Sequence, residues 1–145
     1  MKREIITTSD GSTTIHIPEW NEQYHSIHGA IQEANHVYIQ HGLNYKTTNE
    51  ITVLEIGFGT GLNSFMTFLQ AQEKEMFIDY IGVEAFPILK EELLKLNYVS
   101  ELDATQFAEI FESFHSCSWD KKHQITSKFS LLKRKQFFHE IDDEN

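Results

Sequence analysis

The segment VLEIGFGTGLN, Val53 to Asn63, constrains the fold of this 145-residue chain more than any other stretch. A run of strand formers ends in three glycines, Gly57, Gly59 and Gly61, each separated from the next by one residue. Glycine loses more conformational freedom on folding than any other residue. A cluster of it belongs where the backbone turns sharply or where another group comes close. The following residues, LNSFMTFLQAQ, set Leu62, Phe65 and Leu69 on one helical face. Strand, glycine turn and helix follow in immediate succession.

The rest of the chain repeats that alternation. IDYIGVEAF reads as a second strand, and HQITSKFSLLKRKQFF as a third strand region, one strand or two. Between them, Pro87 is expected to open a helix with Leu89, Leu93 and Leu96 along one face. Asp103 is expected to cap another that carries Phe107, Ile110, Phe111 and Phe114. Upstream, Ile5 to Ile17 reads as a hairpin turning at Asp10-Gly11. Ile27, Ile31, Ala34 and Tyr38 recur at helical spacing ahead of a stop at Gly42. The expectation is one α/β domain over residues 1–145. A hairpin-and-helix extension occupies 1–50, and the first strands and helices of a largely parallel, helix-flanked sheet occupy 51–145.

Composition narrows the function. With 40% hydrophobic residues and eleven Phe, the chain can bury a core. It has no apolar run of about 18 residues to span a membrane, and its N-terminus turns polar at once. Cys117 stands alone, which fits a cytoplasmic protein. A net charge of −10 disfavours broad adhesion to nucleic acid while leaving room for a local basic face. His25 with His28, and His36 with His41, are not completed into a ligand set, so no metal is expected.

In a parallel sheet the ligand lies beyond the carboxyl ends of the strands, where the glycine turn sits. Two nucleoside cofactors compete for it. A dinucleotide fingerprint requires a third glycine at position 62, which is Leu62. The pattern is instead E-x-G-x-G-x-G from Glu55. Glu84 ends the second strand, where a carboxylate can accept from both hydroxyls of a ribose, and Phe86 follows it as a candidate for stacking near an adenine. An acid at that position serves either cofactor.

The glycine pattern resembles the first motif of the class I S-adenosyl-L-methionine-dependent methyltransferases. The resemblance narrows when three stretches are taken together. YHSIHGAIQEANHVYI supplies Tyr24, Ser26, Gly29, Glu33, Val37 and Tyr38; GFGTGLN supplies Gly57, Phe58, Gly59, Thr60, Gly61, Leu62 and Asn63; VEAFP supplies Glu84, Phe86 and Pro87. In this order they resemble the MnmC-type family, which methylates the 5-aminomethyl group of 5-aminomethyl-2-thiouridine at the tRNA wobble position. The resemblance implies a Rossmann-like fold, S-adenosyl-L-methionine as cofactor and the tRNA anticodon loop as partner. It implies cofactor contacts from Glu55, Gly57, Phe58, Gly59, Thr60, Gly61, Asn63, Glu84 and Phe86, with Tyr24, Ser26 and Glu33 lining the mouth.

The chain departs from the family in two places. Gln136 and Phe137 stand where an acidic residue contacts the adenine, and the chain ends at EIDDEN before the fourth strand that carries the expected catalytic Asp. Asp142 and Asp143 come too early to fill that role. The expectations are therefore an incomplete sheet, a chain inactive by itself, and self-association through an exposed strand edge of Ile51, Val53, Leu54 and Ile56. Lys133, Arg134 and Lys135, with Lys121 and Lys122, form the basic cluster that could meet tRNA phosphate. A nicotinamide-dependent oxidoreductase and a catalytically silent binding module remain the alternatives.

Overall fold

Asp10 and Gly11 turn the chain between β1 (Glu4–Thr7) and β2 (Thr13–Ile17), with Gly11 at φ +88°. With β3 (Glu22–Gln23) these strands make an antiparallel sheet ordered β1-β2-β3. The turn also caps a helix. Ala30 N–H donates to Thr8 Oγ1, Ile31 N–H to Ser12 Oγ, and Gln32 N–H to Asp10 Oδ2, all at 3.0–3.1 Å. The first N–H groups of α1 (Ala30–Glu33) thus find acceptors in the hairpin, since the N-cap residue Gly29 has no side chain to offer. α1 continues as a π-helical stretch, Ala34–Gln40, and Ile27 lies outside the helix and exposed. The computed structural model describes residues 1–45 and 48–141, with Phe138 by its backbone; Asp142 and Asp143 lie outside the described residues.

The chain divides into two compact units, Met1–Lys46 with Ile88–Glu109, and Thr47–Pro87 with Ile110–Asn145. In the first unit the expected helix from Pro87 is replaced by two single turns, α3 (Lys90–Leu93) and α4 (Tyr98–Glu101). Leu89 is extended (φ −83°, ψ 158°) and exposed, and Leu93 and Leu96 are only half-buried, so the leucine stripe does not form a buried face. Long-range bonds take precedence there. Asn97 accepts from Thr13 N–H and donates to Gly11 O, both at 2.9 Å, and Arg3 pairs with Glu92 at 2.8 Å. Asp103 adopts φ +52° and is not a cap; Ala104 precedes the short 3₁₀ turn Thr105–Phe107, ahead of α5 (Ala108–Ser116).

The second unit holds a four-stranded sheet ordered β4-β5-β7-β6. β4 (Glu50–Ile56), β5 (Phe77–Val83) and β7 (Phe129–Arg134) run parallel, and β6 (Lys122–Thr126) pairs antiparallel with β7. The third strand region is therefore two strands. Registers Val53↔Tyr80↔Leu131 and Glu55↔Gly82↔Lys133 define one face. Tyr80 and Phe129 on this face pack with Phe65 and Phe68 of α2 (Leu62–Lys74) and with Phe111 and Phe114 of α5. The ring centroids are 5.1–6.3 Å apart. Stacked and edge-to-face rings at that spacing add to the burial term. On the opposite face Leu54 and Ile56 are each 53% exposed.

Among the described residues β4 is an edge of this sheet. Its alternating apolar residues, Ile51 and Val53 on one face and Leu54 and Ile56 on the other, suit a strand covered on both faces.

Candidate functional site

The glycine turn lies at the carboxyl end of β4, beside that of β5. Gly57 and Phe58 both direct their N–H groups to Val83 O, at 2.8 and 3.0 Å, which folds the turn across the end of β5. Gly57, Gly59 and Gly61 all take positive φ, +84°, +55° and +78°. A Cβ on Gly57 would meet nothing within 4 Å, whereas one on Gly61 would lie 2.8 Å from His115 Nε2. One glycine thus opens onto free space, and the other makes room for a side chain of the protein.

The remaining predicted loop residues divide in the same way. Phe58 is buried, with its ring edge-on to His115 and so close to Gly82 that a Cβ there would overlap it. The Phe58 ring therefore braces the turn from below, while its N–H is engaged by Val83 O and its C=O accepts from Gly61 N–H at 3.0 Å. Thr60 is buried and its carbonyl accepts from His115 Nε2 at 2.9 Å. Asn63, in the first turn of α2, donates from Nδ2 to Glu55 Oε2 at 2.7 Å. Among the described residues, two buried acceptors beside the turn find no donor, Glu55 Oε1 and Asn63 Oδ1. Burial pushes the Glu55 carboxyl up to about 7, hydrogen bonds from Asn63 and Tyr80 oppose that rise, and the Glu84 charge adds to it.

Glu84 does more than offer a carboxylate to solvent. Its Oε1 accepts from Gly59 N–H at 2.7 Å and its Oε2 from Phe86 N–H at 3.1 Å. The carboxylate thus ties the glycine turn to the end of β5, and each oxygen keeps a further lone pair for a hydroxyl. Gln136 donates its N–H to Glu84 O at 3.2 Å, which sets it beside this acid. Phe86 is exposed and meets exposed Phe137 edge-to-face at 5.7 Å, forming an aromatic pair at the carboxyl ends of β5 and β7.

Tyr24, Ser26 and Glu33 belong to the other unit. Tyr24 N–H donates to Ile15 O, Ser26 Oγ accepts from His28 N–H at 3.1 Å, and Glu33 lies half-buried in α1.

The basic cluster is broken up by the sheet. Alternation along β7 sends Lys133 under α5, where it is 1% exposed. Its Nζ donates to His115 O at 3.0 Å and sits 4.4 Å above the Trp119 ring. A lysine on the last carbonyls of a helix is favoured by the helix dipole, so Lys133 is a structural cation and not a phosphate contact. Lys122 pairs with Asp79 at 3.0 Å. Cys117 is half-buried, and burial raises its thiol. Among the described residues no group of His, Cys, Asp and Glu could hold a metal, and no helix is long and apolar enough to cross a membrane.

His115 and Lys133 have roles that the sequence does not announce. Their partners lie 55 and 18 residues away, and the one available signal is a histidine at the end of an aromatic-rich helix.

The parallel sheet, the glycine turn and the acid ending β5 make a Rossmann-like α/β fold. No family model matches the chain. It is similar to proteins named tRNA 5-methylaminomethyl-2-thiouridine biosynthesis bifunctional protein MnmC. The Leptospira interrogans protein is 34% identical over 93 residues, 58% of this chain and 14% of the relative. That of Leptospira borgpetersenii is 32% identical over 110 residues, 70% and 16%. That of Campylobacter jejuni is 33% identical over 103 residues, 66% and 16%. The crystal structure of MNMC2 from Aquifex aeolicus shares the fold with a TM-score of 0.67 at 24% identity, over 98% of this chain and 46% of that one. The chain is a relative of the MnmC-type proteins, and it spans 14–16% of the length of these three curated relatives.

Proposed function

We propose that the glycine turn binds S-adenosyl-L-methionine, and that the chain serves methyl transfer to the 5-aminomethyl group of 5-aminomethyl-2-thiouridine at the tRNA wobble position. One observation carries the reading: two buried acceptors, Glu55 Oε1 and Asn63 Oδ1, await a donor beside the turn that Gly57 leaves open. An unmet buried acceptor costs free energy that a ligand's ammonium group recovers. The methionine end of this cofactor carries such a group. A pyrophosphate brings further acceptors and no donor, which disfavours the dinucleotide alternative at this position.

The other residues support binding in distinct ways. The N-terminal turn of α2 has no side-chain cap and no acidic residue, so its positive end is free to face a carboxylate. Glu84 holds the turn in place and keeps lone pairs for the ribose hydroxyls, and Phe86 with Phe137 offers aromatic surface to the adenine. Tyr24, Ser26 and Glu33 are assigned to the mouth on the family resemblance. The bound cofactor supplies an electrophilic methyl group; the chain holds and orients it.

Turnover needs more than these residues. The carboxylate that the resemblance implies beside the methyl group comes from a strand after the third, and among the described residues no strand pairs with the outer edge of β4. The chain alone is therefore expected to bind cofactor without transferring its methyl group. Incubation with labelled cofactor and undermodified tRNA tests this, against a version extended through the family's remaining strands. Equal turnover by the two would return the catalytic groups to residues 1–145. No turnover by the extended version would remove the substrate assignment. A cytoplasmic location follows from the tRNA substrate.

A further inference from the structure

We infer that His115 is a positioning residue for the glycine turn: its imidazole fills the space beside Gly61 and fixes Thr60 by hydrogen bond, so that the free space beside Gly57 keeps its shape for a ligand. The inference rests on the turn being the cofactor site.

Gly57 and Gly61 have different reasons to be glycine. At Gly57 nothing of the protein comes within 4 Å of the missing Cβ. At Gly61 the missing Cβ is replaced by His115, whose Nε2 and Cε1 lie 2.8 and 3.2 Å from where it would stand. The same Nε2 lies 2.9 Å from Thr60 O. A carbonyl can only accept, so Nε2 carries the proton and Nδ1 is the bare nitrogen of the neutral ring.

The histidine is itself held on three sides. Phe111 meets it edge-on at 5.2 Å and Phe58 at 5.8 Å, while Lys133 Nζ donates to its carbonyl at 3.0 Å. Phe58 in turn fits against Gly82. Burial and the nearby Lys133 charge push the imidazole down to about 4, while the Thr60 bond opposes that shift. The ring is therefore neutral throughout the physiological range, as a donor to a carbonyl should be. Two sides of the turn are thus fixed from different elements, by His115 of α5 and by Glu84 after β5, and Gly57 is left open between them.

The test uses the 145-residue chain with selective ¹⁵N labelling of histidine and glycine. In the unsubstituted protein the His115 ring should show a protonated Nε2 and an unprotonated Nδ1 that do not change between pH 5.5 and 8 (about one and a half units or more above the pKa). A protonated Nδ1, or a ring that titrates near 6.5, overturns the inference without any variant. His115→Phe keeps the ring and deletes the donor, and His115→Gln retains a donor. The Phe variant should fold, shift the amide signals of Gly59 and Gly61, and bind S-adenosylhomocysteine about tenfold more weakly (the worth of one hydrogen bond). The Gln variant should recover most of that loss. Unmoved glycine signals in the Phe variant overturn the inference. Should the unsubstituted chain bind no S-adenosylhomocysteine, the cofactor reading fails, and the tautomer and glycine signals still decide whether His115 sets the turn.

Discussion

Asn63 donates to Glu55 Oε2 at 2.7 Å, and the pair leaves one buried oxygen on each residue without a donor. α2 brings the amide to the end of β4 because Gly57 to Gly61 reverse the chain within one short turn. The bond orients the carboxylate and does not satisfy it. An unfilled pair of acceptors suits a site that a ligand completes.

Replacing Glu55 should therefore separate binding from stability. In Glu55→Gln the charge that attracts an ammonium is gone, while a side chain able to bond with Asn63 remains. Affinity for S-adenosylhomocysteine should fall by about 1.5–3 kcal/mol, the worth of a charge-assisted hydrogen bond. Stability at pH 8 should hold or rise, because a buried charge is removed. Calorimetry and denaturant unfolding on the same preparations read the two effects. A variant that loses both together would make Glu55 a structural group.

The pH dependence of Glu55 has a defined sign. Its carboxyl titrates at about 7 in the folded protein against an ordinary 4.5. Between these values the folded state holds a proton that the unfolded state has released. Its contribution to stability is complete below 4.5 and declines as pH rises through 7, by at most about 1.4 kcal/mol per pH unit. His25 and His115, both pushed down to about 4 mainly by burial, act oppositely. Their contribution is present above 6.5 and is lost as pH falls toward 4. The difference in unfolding free energy between Glu55→Gln and the unsubstituted protein isolates the carboxyl, and it should grow in the variant's favour from pH 4.5 to 7. Cofactor affinity should rise over the upper part of that range, as Glu55 ionises. A flat difference would mean that the carboxyl titrates normally.

Glu84→Ala should weaken both properties, unlike Glu55→Gln. It removes the acceptor of Gly59 N–H and of Phe86 N–H as well as any ribose contact. Each charge-assisted bond is worth about 1.5–3 kcal/mol as an upper range. Unfolding midpoints and S-adenosylhomocysteine affinity should fall together. Unchanged affinity would move the ribose away from this acid.

The outer edge of β4, unpaired among the described residues, should be visible in solution. An apolar edge with unpaired N–H and C=O groups is a template for another strand. Sedimentation velocity across a rising concentration series should show weak self-association, and Leu54→Lys with Ile56→Lys should reduce it. A monomer at every concentration would mean that the edge is protected.

Residues 53–63 carried the legible part of the fold. Their order of strand formers, glycines and apolar helix is a local instruction, as is Asp10-Gly11 for the hairpin, and both fold as written. The leucines at 89, 93 and 96 were legible in the wrong way. Their spacing is helical, yet Asn97 is claimed by Gly11 and Thr13, more than eighty residues away, and two short turns result. The site divides similarly. Glu55, Gly57 and Glu84 announce themselves by spacing. The inward ring of Phe58, the burial of Lys133 and the bond from His115 to Thr60 depend on which strand and helix meet, which no local pattern encodes.

The turn at Gly57–Gly61 is proposed to hold S-adenosyl-L-methionine. Binding there is tested most directly by titrating S-adenosylhomocysteine into the chain at pH 8, where Glu55 is ionised, with NAD as the control. The expected result is saturable one-to-one binding that S-adenosyl-L-methionine displaces and NAD does not; Gly57→Leu should abolish it, by filling the open space and by straining a backbone at φ +84°. Absence of binding, or binding of NAD at the same turn, would contradict it.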